Sequence, residues 1–357
     1  MQAVTIDPFG RPRLQELPDP VPAAGELVLR LRWSGLCGTD LFKLATGAPA
    51  PGTVLGHEVV GEVEAVGPGV TAFAPADRLV VPHHAACGVC YDCASGAATQ
   101  CAAFRENLLE PGGFAGQILV RRRALATTAR RLPDALDDLD AIFLEPAACV
   151  LRSLRRSPIL APLAGGPRAR EAAPGEWTRL AVILGGGSMG LLHLLVLRAL
   201  GAPVRIVVVD PREDRRHLAR GLGADEAVPP GEALLAAASA QSEDGRGADA
   251  VFDCVGGSAL TEAALAALRP GGTAVLFAHG RAGETAGFPL NDLFKLEKRL
   301  VGAYSGSLAE QSEVWELLCS GRLRPACLVS HRLALAEFDE GWSAARRQEA
   351  LKVAFHP

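Results

Sequence analysis

An excess of charge of either sign is missing from this chain: its 357 residues carry 36 Lys and Arg against 40 Asp and Glu. That near-balance argues against a nucleic-acid or anionic-membrane surface as its main role. The basic run from Arg121 to Arg131, "RRRALATTARR", is accordingly expected to be a solvated face. The beginning, "MQAVTIDPFGRPRLQELP", has no apolar stretch behind a basic start and does not read as a secretory signal. Long apolar runs are lacking too, because Gly, Arg or Asp interrupts each well short of a membrane span. Internal repeats and extended disordered tracts are also absent. These absences point to a cytoplasmic protein with reduced thiols and neither nucleic-acid nor membrane partners.

What is there supports a large core, since 49% of the residues are hydrophobic, and the length suits two domains. Residues 1 to about 145 carry short alternating runs such as "ELVLRLRW" and "VVGEVEAVG", which predict strands joined by turns in a barrel-like all-β unit. From about 180 to 305 continuous apolar runs ("LAVILGGG", "VRIVVVD", "ADAVFDCVG", "GGTAVLFAH", "KRLVGAYSG") alternate with helix-length segments. That is the pattern of a parallel sheet covered on both faces. The tail, 306–357, mixes a helix with a strand-like segment and is expected to return to the first zone. The segment 157–176, rich in Pro, Gly, Ala and Arg, predicts a loop at the junction between domains.

The stretch "AVILGGGSMGLLHLL" places Gly185, Gly187 and Gly190 in the G-x-G-x-x-G spacing, between a strand and an apolar helix, with Asp210 twenty residues further on. Such a turn lets backbone approach a pyrophosphate at the positive end of a helix. A carboxylate at residue 210 can accept hydrogen bonds from ribose hydroxyls and would repel a 2′-phosphate, so NAD(H) is expected rather than NADP, although Arg212 lies nearby. The expected coenzyme set is Gly185, Gly187, Ser188, Met189, Gly190, Asp210 and Arg215, with His193 a packed histidine.

Four of the nine cysteines fall within fifteen residues: Cys87, Cys90, Cys93 and Cys101. Four thiolates on one loop suit a closed tetrahedral zinc shell, a structural site. An iron–sulfur cluster and a redox disulfide are the alternatives. Upstream, Cys37, His57 and Glu58 offer a thiolate, an imidazole and a carboxylate, a set able to bind a zinc that keeps one position free.

Taken together, "CGTD", "GHEVVGEVEAVG", "ADRLVVP", the four-cysteine lobe, "PGGFA", "LEPAACV" and "VILGGGSMG" run in order along the chain. In these motifs it resembles the zinc-dependent medium-chain alcohol dehydrogenases, and within them the sorbitol and threonine dehydrogenase branch. The resemblance implies an α/β protein in which a GroES-like β-barrel catalytic domain is interrupted by a Rossmann doubly wound parallel-sheet NAD-binding domain. Its bounds would be 1–145, with a structural-zinc lobe at about 84–104, then 146–305, and a return at 306–357. Also implied are catalytic zinc ligands at Cys37, His57, Glu58 and Glu145, the last direct or through water. Asp40 matches the acid that orients the zinc histidine, and Thr39 the hydroxyl that receives the substrate proton.

A homodimer or homotetramer is expected as well. The implied reaction is interconversion of a small secondary alcohol (polyol, sugar alcohol or aminocyclitol) and a ketone. A threonine-type amino-alcohol dehydrogenase is the rival within the family. A non-catalytic NAD- or zinc-binding relative and a zinc-free quinone reductase are disfavoured, because no ligand position is lost. Two features depart from the family pattern: Phe42 stands where the polyol branch often has a relay histidine, and the segment 157–176 is longer than the family's usual connection into the first Rossmann strand. His83 and His84, just before the cysteine lobe, read as surface-loop histidines.

Overall fold

The alternating run that begins at Glu26 forms the strand Leu27–Gly35, burying Leu27, Leu29 and Leu31 while Arg30 reaches solvent. This computed structural model describes residues 1–161 and 178–357; of the segment 157–176, everything from residue 162 on lies outside the described residues. The chain divides into two units, Met1–Ala148 together with Gly306–Pro357, and Cys149–Ser305.

In the first unit the main sheet runs, in spatial order, Val329–Ala334, Lys352–His356, Leu27–Gly35, Glu58–Val66, Arg78–Pro82 and Arg130–Arg131. The strand Gln117–Val120 also pairs with Leu27–Gly35. Val329–Ala334 and Lys352–His356 are parallel, and the other pairings are antiparallel. The tail therefore supplies two strands of this sheet, besides the helix Leu308–Cys319. Phe114, Phe338 and Phe355 interlock in the core with ring centroids 4.8 to 5.6 Å apart. Each such buried side chain contributes about 1.5–3 kcal/mol.

Register decides where the chemistry goes. Gly35 pairs with Glu58, Glu58 with Pro82, and Ala354 with Gly35. Four neighbouring strands thus deliver residues 35–37, 57–58, 82–84 and 352 to one end of the sheet. The arginine run keeps Arg122 and Arg131 exposed, as expected of a solvated face, and several of its side chains meet carboxylates on other elements. Arg121 pairs with Glu26 (2.8 Å) and Glu110 (2.5 Å), and Arg131 with Asp77 (2.7 Å).

In the second unit the described strands form a parallel sheet in the order Glu226–Val228, Val204–Val209, Arg179–Leu184, Ala248–Asp253, Leu268–Leu276, Arg299–Gly302. This is the 3-2-1-4-5-6 arrangement of a doubly wound dinucleotide-binding sheet. Its central strands are buried throughout, which is why they read as unbroken apolar runs. Among the described residues no helix is long and apolar enough to cross a membrane.

Candidate metal and coenzyme sites

The four lobe cysteines each bring a sulfur to within 4.8 Å of the others. Cys90–Cys93 and Cys87–Cys101 are 3.5 Å apart, and Cys87–Cys93 3.9 Å. Thiolates bound to zinc at about 2.3 Å in a tetrahedron sit about 3.8 Å apart, whereas a disulfide needs about 2.05 Å. The spacing fits a metal shell, and all nine cysteines are free thiols. The backbone N–H of Cys87 points at Cys101, whose thiol is drawn down to about 6. Although the N–H of Cys93 acts in the opposite sense, the neighbouring sulfurs push Cys90 up to about 12. Sulfurs this close cannot all ionise until a cation joins them. Apolar support is slight, with Ala86, Cys101 and Phe104 the lobe's buried cluster.

Cys37 begins the second set. It caps the helix Gly38–Ala45, its sulfur accepting from the Thr39 N–H at 3.5 Å, while the Asp40 carboxylate accepts from the Cys37 N–H at 3.2 Å. The same box turns Asp40 into the interior, wholly buried, 3.5 Å from His57 Nδ1. With Nδ1 facing Asp40, the other ring nitrogen of His57 is left to act as a ligand. Cys37, His57 and Glu58 each bring a donor atom to within 4.8 Å of the other two. Glu145, half-buried in the first turn of the helix Leu144–Arg155, is not brought into that set. Thr39 is half-buried beside Cys37.

Burial works against a charged His57, yet Asp40 and Cys37 outweigh it and hold the imidazole well above its usual range. Glu58 is buried, and neither of its oxygens makes a regular hydrogen bond. A thiolate, an imidazole and a carboxylate so arranged fit a zinc-type dication.

A methyl group at residue 35 would meet Glu58 Oε2 at 1.9 Å, so only glycine leaves room for the carboxylate there. The same Oε2 contacts the ammonium of Lys352, itself buried and 5.5 Å from the Phe143 ring. Burial opposes the charge on Lys352, but Glu58, with Cys37 and Asp40, holds its pKa above the ordinary lysine value. Removing one partner of such a buried pair costs about 3–5 kcal/mol. Sequence reasoning missed Lys352, whose one signal is a lysine heading the apolar strand "KVAFH".

His83 and His84 are not surface-loop histidines. The turn after Arg78–Pro82 stacks them inward, His83 4.5 Å from His57, His84 3.5 Å from His83, and Phe104 5.1 Å beyond (ring centroids). Burial holds His83 well below the usual histidine range and takes His84 down to about 4.

Asp40→Asn keeps an oxygen for the Cys37 N–H but loses the charge facing His57. Metal affinity at this set should fall about 10–100-fold, read by chelator competition. Unchanged affinity would remove Asp40 from its orienting role.

In the second unit the glycine turn follows Arg179–Leu184, and Gly187 caps the helix Ser188–Ala199. A Cβ on Gly190 would lie 1.8 Å from the Gly185 carbonyl oxygen, so the helix packs this closely only with glycine there. The Ser188 hydroxyl is buried without a partner, at a helix start of the kind that binds phosphate. Asp210 accepts from the Gly186 and Arg212 N–H groups, both at 2.8 Å. Arg212 turns instead to Asp214, and Arg215 borders Gly186 together with Asp210. The Met189 carbonyl contacts His193 Nδ1 (2.7 Å), whose Nε2 meets the Ser153 hydroxyl at 2.6 Å. His193 is a satisfied core residue.

Residues 23–130 match the alcohol dehydrogenase GroES-like domain, and residues 188–320 the zinc-binding dehydrogenase domain. D-altritol 5-dehydrogenase of Agrobacterium fabrum is 31% identical over 340 residues, 94% of each chain. Sorbitol dehydrogenase of Halalkalibacterium halodurans is 28% identical over 96% of this chain and 95% of that one. A solved protein from Sinorhizobium meliloti 1021, bound to NADP, has a TM-score of 0.85 at 26% identity, covering 100% of this chain and 99% of that one. Both units and their order are those of zinc-binding oxidoreductases. The chain belongs to the zinc-dependent medium-chain alcohol dehydrogenase family, whose members oxidise alcohols with a nicotinamide coenzyme.

Proposed function

We propose that this enzyme interconverts a polyol or other secondary alcohol and its ketone, with NAD(H) as the preferred coenzyme. In this reading Cys37, His57 and Glu58 hold a catalytic zinc, with Glu145 outside the set of direct ligands, and Cys87, Cys90, Cys93 and Cys101 hold a structural one. The observation that carries the reading is the meeting of three donor atoms from Cys37, His57 and Glu58 within 4.8 Å.

Zinc bound there supplies Lewis acidity that lowers an alcohol's pKa, and the nicotinamide supplies the hydride acceptor. The chain's own residues do the rest. Asp40 fixes the tautomer and orientation of His57. Thr39 takes the substrate proton at its hydroxyl and passes it to water, since Phe42 has no proton to relay. Gly35 and Lys352 seat the Glu58 carboxylate. The turn Gly185–Gly190, with Met189 and the Ser188 hydroxyl, receives the pyrophosphate, while Asp210 and Arg215 border the adenosine ribose.

An NADH-absorbance screen of the zinc-loaded enzyme over polyols, aminocyclitols, sugars and simple secondary alcohols tests the function. Turnover of none of them rejects it. For the coenzyme, Asp210→Ser removes the charge that repels a 2′-phosphate. The NADP-to-NAD ratio of kcat/KM should rise about 10–100-fold, and an unmoved ratio takes coenzyme choice away from Asp210.

A further inference from the structure

His83 and His84 stand at this end of the sheet and are left unused by the mechanism above; His83 is the one whose ring adjoins that of His57. Its ring lies 4.5 Å from that of His57, yet it is not among the donors that meet at Cys37, His57 and Glu58. Its Nδ1 is sealed from solvent and has no hydrogen-bond partner. A buried polar atom left unpaired costs about as much as a lost hydrogen bond, so an occupant that completes it is favoured over one that does not. The direction of that nitrogen is set by packing. His84 stacks on the ring at 3.5 Å with Phe104 behind it, and the backbone closes the loop where the Leu108 N–H donates to the His83 carbonyl at 3.0 Å.

We propose that His83 is a specificity-determining residue whose ring nitrogen hydrogen-bonds the hydroxyl on the carbon next to the one oxidised, so that the site selects vicinal diols and polyols over simple alcohols. An imidazole presents a donor at one ring nitrogen and an acceptor at the other, and a hydroxyl can answer either. An alcohol oxygen held at the three-residue set would lie beside His57, whose ring is 4.5 Å from that of His83, close enough for a hydroxyl on the adjacent carbon to reach the His83 ring. A substrate lacking the second hydroxyl leaves the nitrogen unpaired, which is how a polar site rejects a close analogue. The inference rests on reading Cys37, His57 and Glu58 as the reaction centre.

Butane-2,3-diol and butan-2-ol differ only in the hydroxyl in question. The wild type should prefer the diol, and His83→Phe, which keeps a stacking ring without nitrogens, should lower the diol-to-alcohol ratio of kcat/KM by about 10–100-fold. His83→Gln, which restores a donor and an acceptor, should recover part of it. Calorimetry of butane-2,3-diol on coenzyme-free enzyme gives a readout without turnover, and His83→Phe should weaken binding by a similar factor. An equal loss on both substrates, or no wild-type preference for the diol, overturns the inference and leaves the function standing. If the zinc-loaded wild type turns over no secondary alcohol at all, the function itself fails and this inference goes with it.

Discussion

Cys37→Ser should lower kcat/KM by about a thousandfold or more while the protein stays folded and still binds NADH. The size follows from the several kcal/mol that a Lewis acid contributes to such a reaction. Cys37 also caps a helix, so alanine at this position would mix two effects, the cap alone accounting for about 0.5–2 kcal/mol of stability. Serine keeps an acceptor for the Thr39 N–H and isolates the loss of the thiolate. Coenzyme binding persists because the glycine turn belongs to the unit Cys149–Ser305, which contains none of the three donors. NADH fluorescence and steady-state rates, with zinc content measured alongside, check the result. A zinc-depleted Cys37→Ser enzyme that turned over at the wild-type rate would end the proposal of metal-assisted chemistry.

Replacing Cys90 by serine should remove one of about two zinc ions per chain and loosen the lobe. With so small a buried cluster of its own, the loop between Cys87 and Cys101 has little besides metal to order it. Structural zinc supplies about 10–16 kcal/mol in isolated peptides, and even a modest share of that should depress the melting temperature by roughly 10 °C. Limited proteolysis should then cut within residues 87–105. Two zinc ions and an unchanged melting curve would show that the sulfurs close on something else. The lobe is tied at its base to His83 and, through Phe104, to His84. Its loss should therefore disturb substrate preference as well as stability.

The candidate metal sets were legible because their donor residues sit in short, dense motifs. Four cysteines in fifteen residues, the "CGTD" run that joins Cys37 to Asp40, and a His-Glu pair ahead of an apolar run are all local patterns. The parallel sheet was equally plain, since strands buried on both faces leave unbroken apolar runs. Lys352, His83 and His84 were less accessible for a common reason. Their positions depend on strand neighbours far apart in the chain, and a lysine or a histidine pair carries no mark of which strand will lie beside it. Glu145 lies on a helix and not at a strand end, apart from the strand register that gathers the three donors Cys37, His57 and Glu58.

The two portions of the catalytic sheet are separated by the whole of Cys149–Ser305. During synthesis Glu58 emerges early and must wait for Lys352 while the nucleotide-binding unit is made. At about 5–20 residues per second that delay is on the order of fifteen to sixty seconds. Over that interval a carboxylate destined for the interior has no ammonium to balance it, and the Ser34–Gly35 end of the central strand Leu27–Gly35 lacks its tail neighbour. A nascent chain that acquired its metal in this window would do so in a pocket of different charge from the finished one.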